Sequence, residues 1–205
     1  MVMNIIVLVL AYFLGAIPSA YIIGKCFCKL NIMEHGSGNV GATNTFRVLG
    51  PKYGAIVFLM DIGKGFLAAF IGAKVGGEVI GVACGMISIV AHTFSVFIRF
   101  KGGKGVATGA GVVFAWCPPA ILCALAVWAV VALVSGYISL ASIIACLSCA
   151  IFMFVFGASL AQCIICSIAV AFIIYKHKSN IKRLMNHTEN HVNWKKAFAK
   201  FGSKK

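Results

Sequence analysis

Acidic side chains are almost missing from this chain. Four carboxylates (Glu34, Asp61, Glu78, Glu189) stand against 18 Lys and Arg in 205 residues, for a formal charge of +14. Charged residues of both signs amount to 11% of the sequence, against about 25% in an ordinary soluble domain. In their place are apolar residues, 61% of the chain, with a mean hydropathy of +1.01. A body of this size has a large outer shell, so many of its apolar side chains need lipid as neighbour. A soluble enzyme and a disordered tail are both excluded.

Nine cysteines are present, seven of them inside apolar runs, where Cys behaves as a small hydrophobe. The pairs Cys146-x-x-Cys149 and Cys163-x-x-Cys166 have zinc-ribbon spacing, but they lie in continuous apolar sequence without the polar knuckle that shapes a tetrahedral site. His187 and His191, four apart, have no further ligands in view. No metal and no cofactor is expected.

A spanning helix needs about 20 largely apolar residues. Such segments run approximately over 4–24, 53–74, 78–98, 105–116, 118–135, 138–156 and 158–175. A single helix over 105–135 would extend roughly 46 Å, and Pro118-Pro119 is where it must break. Residues 25–52 hold four cations, 99–104 hold three and the tail from 176 holds nine, 16 of 18 in all. Cytoplasmic loops carry the Lys and Arg excess. Placing these three segments on one side requires an even number of crossings between 104 and 176, hence seven transmembrane helices. The N-terminus is then outside and the C-terminus cytoplasmic. Met1 to Asn4 carries no cation while Lys25 and Lys29 follow the first apolar run, the signature of an uncleaved helix rather than a secretory leader. The predicted architecture is an all-α bundle, one domain over 1–193 with a basic amphipathic tail over 194–205. The tail and loops suit anionic lipid head groups. Cations sorted by topology do not form the coherent groove that nucleic acid requires.

Three polar segments share the cytoplasmic side. Gly36 to Arg47 (GSGNVGATNTFR) combines glycines, hydrogen-bonding side chains and a terminal guanidinium, a composition able to turn N–H groups toward an anion and grip phosphate in a bidentate way. Its G-x-G-x-x-G lacks the preceding strand of a dinucleotide fingerprint. Phe100 to Thr108 (FKGGKGVAT) opens the fourth span, so that Lys101 and Lys104 meet the free N–H groups and positive dipole end of a helix. It is not a Walker loop, because Gly105 follows Lys104. His177, Asn180 and Arg183, at intervals of three after the last span, share one helical face. Inside the second span Asp61 and Lys64 are spaced to pair, and ionisable residues within a membrane are functional candidates by default.

The chain closely resembles the bacterial acyl-phosphate:glycerol-3-phosphate acyltransferase family over nearly its whole length. The resemblance rests on S-G-N-x-G-A-T-N-x-x-R as Ser37 to Arg47, F-K-G-G-K-G-V-A-T as Phe100 to Thr108 and H-x-x-N-I-x-R-L as His177 to Leu184, with lesser matches at Asp61-x-x-Lys64-Gly65, His92 and Ser135 to Leu140. Ala91, Ser95 and His187 stand where the family more often has Gly, Pro and Gly. The resemblance implies transfer of a fatty acyl group from acyl phosphate to the sn-1 hydroxyl of glycerol 3-phosphate. The products are lysophosphatidic acid and phosphate, in the first step of phospholipid synthesis at the bacterial plasma membrane.

No histidine here has Asp five residues on, the dyad of better-known glycerolipid acyltransferases, and there is no G-x-S-x-G elbow. An acyl phosphate is already activated, so direct single displacement without a covalent nucleophile is expected. Ser37, Asn39, Thr43, Asn44 and Arg47 are assigned to glycerol phosphate, with His177, Asn180 and Arg183 closing over it. Lys101, Gly102, Gly103 and Lys104 stabilise phosphate, and Glu189 orients a cation. Gly38, Gly41 and Thr108 join the substrate-binding set. Lys104 and His177 are the expected catalytic groups, with His177 or a substrate phosphate taking the proton. Partners are the two substrates and the bilayer, the protein acting as a monomer. A transporter or flippase for a phosphorylated solute is the rival, but such proteins place their sites near the midplane of inverted repeats, and neither feature is seen in this sequence.

Overall fold

The computed structural model describes residues 1–192 and Trp194; apart from Trp194, the expected basic tail lies outside the described residues. All regular structure among them is helical. Helices α1 (Val2–Ala16) and α2 (Ser19–Cys28) form one rod bent by 47° at Pro18, which has no N–H to continue the ladder. A short 3-10 turn, Ile32–Glu34, precedes α3 (Ala42–Leu49).

Helix α4 (Pro51–Thr93) is a hairpin of two arms, because Gly76 and Gly77 leave helical geometry and Gly77 adopts φ 74°. The arms 51–75 and 78–93 fold back on each other so closely that a methyl group on Gly81 would meet Ala73, and one on Gly72 would meet Cys84. After a 3-10 turn at Val96–Ile98 come α5 (Val106–Trp116), α6 (Pro118–Ser135), α7 (Ile138–Val155), α8 (Leu160–Lys176) and α9 (Lys178–Met185), the last turned 57° from α8. The break between α5 and α6 falls at Cys117, with Pro118 opening α6, as the proline pair requires. By length and composition three helices are able to cross a bilayer, or five when each bent pair is taken as one. Helix α5, with eleven residues, extends about 16 Å, half the hydrocarbon thickness.

The two ends of the bundle differ. At one, the amide oxygen of Asn4 lies beside Gly76, and Ser159, which caps α8, hydrogen-bonds the Glu78 carboxylate. At the other lie the segments 29–50, 94–105 and 177–192, so the three polar motifs share an end. Apolar clusters fill the middle. One joins α5 to α8 through Val113, Ala120, Met153 and the buried Cys149, Cys163 and Cys166.

Small residues set the closest crossing. A methyl group on Gly65 would strike the carbonyl of Thr108, and one on Gly111 the carbonyl of Ile62, so α5 meets the first arm at backbone distance, as glycines allow in membranes. Gly111→Ala is expected to destabilise the protein by about 1–3 kcal/mol, whereas Gly63→Ala, where a methyl group meets nothing, leaves the unfolding midpoint in detergent unchanged or slightly raised.

Candidate active site

The first motif is a loop tied by one buried amide. Asn44 Oδ1 accepts from the Ser37 N–H (2.9 Å), and Asn44 Nδ2 donates to the carbonyls of Ile32 (3.3 Å) and His35 (3.0 Å). Its amide therefore shapes the loop. Gly36 and Gly38 take positive φ within it, and Thr45 Oγ1 donates to the Gly41 carbonyl (3.1 Å) at the start of α3. Ser37, Thr43 and Arg47 stay exposed, Gly38 and Asn39 are half-buried, and Gly41 and Val40 are buried.

The second motif is pinned to the end of α4. Gly102 N–H donates to the Thr93 carbonyl (3.0 Å) and Gly103 N–H to the His92 carbonyl (3.2 Å). Both positions demand glycine, since a methyl group on Gly102 would enter the His92 carbonyl and one on Gly103 would be caught between the His92 ring and the Val40 carbonyl. The contact between Gly103 and Val40 is where the first two motifs meet. Gly105, at φ 88°, starts α5. Lys101 is exposed, and Thr108 is buried toward the first arm with its hydroxyl unpartnered among the described residues.

Lys104 joins the second motif to the third by donating to Asn180 Oδ1. Asn180 Nδ2 in turn donates to Glu189 Oε1 (2.8 Å), which also accepts from Ser139 Oγ (3.0 Å), while Arg183 Nε donates to Glu189 Oε2 (2.6 Å). Both carboxylate oxygens are thus occupied. Glu189 reaches this position because the chain reverses after α9 at His187, whose φ of 54° lies in the left-handed region that favours glycine. The Val192 N–H on the Gly136 carbonyl (2.9 Å) and the Trp194 indole on the Ala132 carbonyl (2.9 Å) fasten this returning segment to the end of α6.

Lys104 is half-buried with an amide oxygen, not a carboxylate, as its hydrogen-bond partner. Burial brings its pKa down to about 8, against the opposing pull of Glu189 and with help from the charges of Arg183 and Arg47. Burial and the Lys104 charge bring His177 to about 4, although its bond to the Ile173 carbonyl and Glu189 act the other way. Burial raises the Glu189 carboxyl, but the bonds from Asn180, Arg183 and Ser139 outweigh it and hold it below its ordinary value. A cationic Lys104 is the form below pH 8. Activity that needs it should fall about tenfold per pH unit well above that value, and Lys104→Arg should abolish this alkaline limb in a kcat/KM profile.

Beneath the loop lies a group that sequence spacing reveals only in part. Asp61 and Lys64 pair at 2.9 Å, as expected, but Lys64 also contacts His92, and Asp61 accepts from Ser19 Oγ (2.8 Å). Ser139 on Glu189 was likewise outside the predicted site, though it falls within the Ser135 to Leu140 match.

The glycerol-3-phosphate acyltransferase family profile matches residues 5–187. Among curated relatives, the glycerol-3-phosphate acyltransferase of Geobacillus kaustophilus is 42% identical over 94% of this chain and 98% of its own. That of Fusobacterium nucleatum is 46% identical over 89% and 95%. The crystal structure of PlsY (YgiH), an integral membrane glycerol 3-phosphate acyltransferase in its glycerol 3-phosphate form, superposes with a TM-score of 0.91 at 40% identity, covering 95% of this chain and 98% of that one. Its lysophosphatidic acid form gives 0.87 at 41% identity over 93% and 95%. On these matches, and with an apolar helical bundle carrying the three motifs at one end, the chain belongs to the glycerol-3-phosphate acyltransferase family of integral membrane enzymes.

Proposed function

We propose that the protein transfers a fatty acyl group from acyl phosphate to the sn-1 hydroxyl of glycerol 3-phosphate, releasing phosphate and lysophosphatidic acid at the cytoplasmic face of a bacterial plasma membrane. The observation that carries this reading is the chain of contacts Val40–Gly103 and Lys104–Asn180–Glu189, which gathers three anion-suited motifs at one end of a lipid-embedded bundle. The tight Gly76-Gly77 turn returns both arms of α4 to the same end, in keeping with 25–52 and 99–104 sharing a face. Counting the α1–α2 rod, both arms, and α5 to α8 gives seven spans.

In this scheme Ser37, Asn39, Thr43 and Arg47 contact glycerol 3-phosphate, with Gly38 and Gly41 giving backbone access and Asn44 holding the loop. Arg183 and Asn180 complete its far side. Lys101, Lys104 and the Gly102–Gly103 turn receive the acyl phosphate at the start of α5, behind which Thr108 packs against the first arm. The hydroxyl oxygen attacks the carbonyl carbon, and the bond from that carbon to the phosphate oxygen breaks. Lys104 and neighbouring N–H groups take up the charge that develops on the departing phosphate.

The hydroxyl proton must leave in the same passage. His177 Nδ1 carries a proton, because it donates to the Ile173 carbonyl (2.8 Å), so Nε2 is an acceptor. Its pKa of about 4 gives little pull at neutral pH, whereas a phosphate monoester has a second pKa near 6. The substrate phosphate therefore takes the proton of the attacking hydroxyl, whose single hydrogen it accepts, while His177 Nε2 accepts from the neighbouring hydroxyl of glycerol 3-phosphate and so orients the substrate. Purified protein in detergent given acyl phosphate and glycerol 3-phosphate should form lysophosphatidic acid without a covalent acyl-protein adduct. Trapping an acyl-Ser or acyl-Cys would overturn the direct displacement, and solute flux in vesicles without acyl transfer would overturn the enzyme reading.

A further inference from the structure

A buried cluster of ionisable side chains takes no part in that scheme. Asp61, Lys64 and His92 are 1%, 4% and 7% exposed, within helices whose surroundings are apolar. An ion pair so placed is costly and calls for a function. The three protons of Lys64 Nζ have three acceptors: Asp61 Oδ1 at 2.9 Å, the Ile17 carbonyl at 2.8 Å and His92 Nδ1 at 2.8 Å. An ammonium can only donate, so His92 Nδ1 must be unprotonated and the ring is the neutral tautomer with its proton on Nε2. Asp61 in turn is fixed by Ser19. The network therefore sets both the tautomer and the direction of one imidazole.

That direction is the glycine loop. His92 Nε2 lies so close to Gly103 that a methyl group there would overlap it, and the His92 carbonyl holds the Gly103 N–H at 3.2 Å. One residue thus anchors the loop through its main chain and sets its ring nitrogen Nε2 against it, and the ring's one hydrogen bond among the described residues is the one from Lys64 to Nδ1. We infer that His92 is a further substrate-contacting residue, a neutral donor held in place by Lys64 that gives its Nε2–H to an oxygen of the phosphoryl group seated on the 101–105 loop. This inference rests on the proposed role of that loop as a phosphate site. Arg183 and Arg47 already bear on Lys104 with like charge there. An uncharged N–H adds a hydrogen bond to a phosphoryl group without adding a further cation.

The test combines kinetics with a readout that folding alone would not move. With the full-length protein in detergent, His92→Phe should lower kcat by about 10²-fold, the usual effect of losing one preorganised donor, with KM for glycerol 3-phosphate little changed. His92→Gln, whose amide nitrogen reaches the Nε2 position, should remain within about tenfold of the parent. Nitrogen-15 spectra of the parent protein should show His92 protonated at Nε2 only, and Lys64→Met should release the ring into a tautomer mixture. Titration with inorganic phosphate should shift the Nε2 signal. A His92→Phe enzyme with parental kcat, an Nδ1-protonated ring, or an Nε2 signal indifferent to phosphate would each overturn the inference. If acyl phosphate proves not to be the donor, the spectra still decide the role of His92 separately.

Discussion

Lys104→Met is expected to reduce kcat by about 10²- to 10³-fold, the range seen on removing one preorganised group that faces developing charge, while the unfolding midpoint barely moves. Both halves follow from its setting. The ammonium is half-buried, and it hydrogen-bonds an amide oxygen, not a carboxylate, so its charge is left available to a ligand. Met preserves the aliphatic stem and leaves only Asn180 Oδ1 short of a donor. Arg at the same position keeps the charge but presents a planar fork in place of a compact ammonium. It should recover part of the lost rate and, with it, activity above pH 8. Equal kcat in the Met variant and the parent would remove Lys104 from the chemistry.

Glu189→Ala should act on two properties at once. Its carboxylate accepts from Ser139, Asn180 and Arg183, and hydrogen bonds to a charged acceptor are each worth about 1.5–3 kcal/mol. Arg183 is 36% exposed, which lets water replace part of the loss, so a net destabilisation of about 2 kcal/mol is expected. The larger consequence is on turnover. Asn180, freed from Glu189, no longer holds Lys104 at a fixed place, and kcat/KM should drop about 10²-fold, since small misplacements cost that much. The pH profile supplies the diagnostic. Glu189 opposes the fall in the Lys104 pKa, so its removal should move the alkaline limb below pH 8. A variant that is merely less stable would keep the limb where it was.

Much of the bundle is legible in the sequence because lipid imposes a simple rule on it, long apolar runs interrupted at glycine and proline. Gly76-Gly77 and Pro118-Pro119 mark real breaks for that reason. The three motifs were equally visible, as clusters of Gly, Asn and cations in a chain otherwise poor in polar groups. What the residue types could not disclose is how each side chain is employed. Asn44 and Asn39 look alike in sequence, yet Asn44 is buried and committed to three backbone groups. His92 and Lys64 lie 28 residues apart and Ser139 and Glu189 lie 50 apart, separations set by the hairpin and by the return after α9, with no periodicity to expose them.

The returning segment also fixes when the enzyme becomes competent. Glu189 lies downstream of every apolar helix in the chain, and only once it is in place do Asn180 and Arg183 gain the acceptor that organises them. A chain still threading into the bilayer therefore holds its cations and its loops but not the link between them. Acyl transfer is therefore expected only from a chain extended past Glu189.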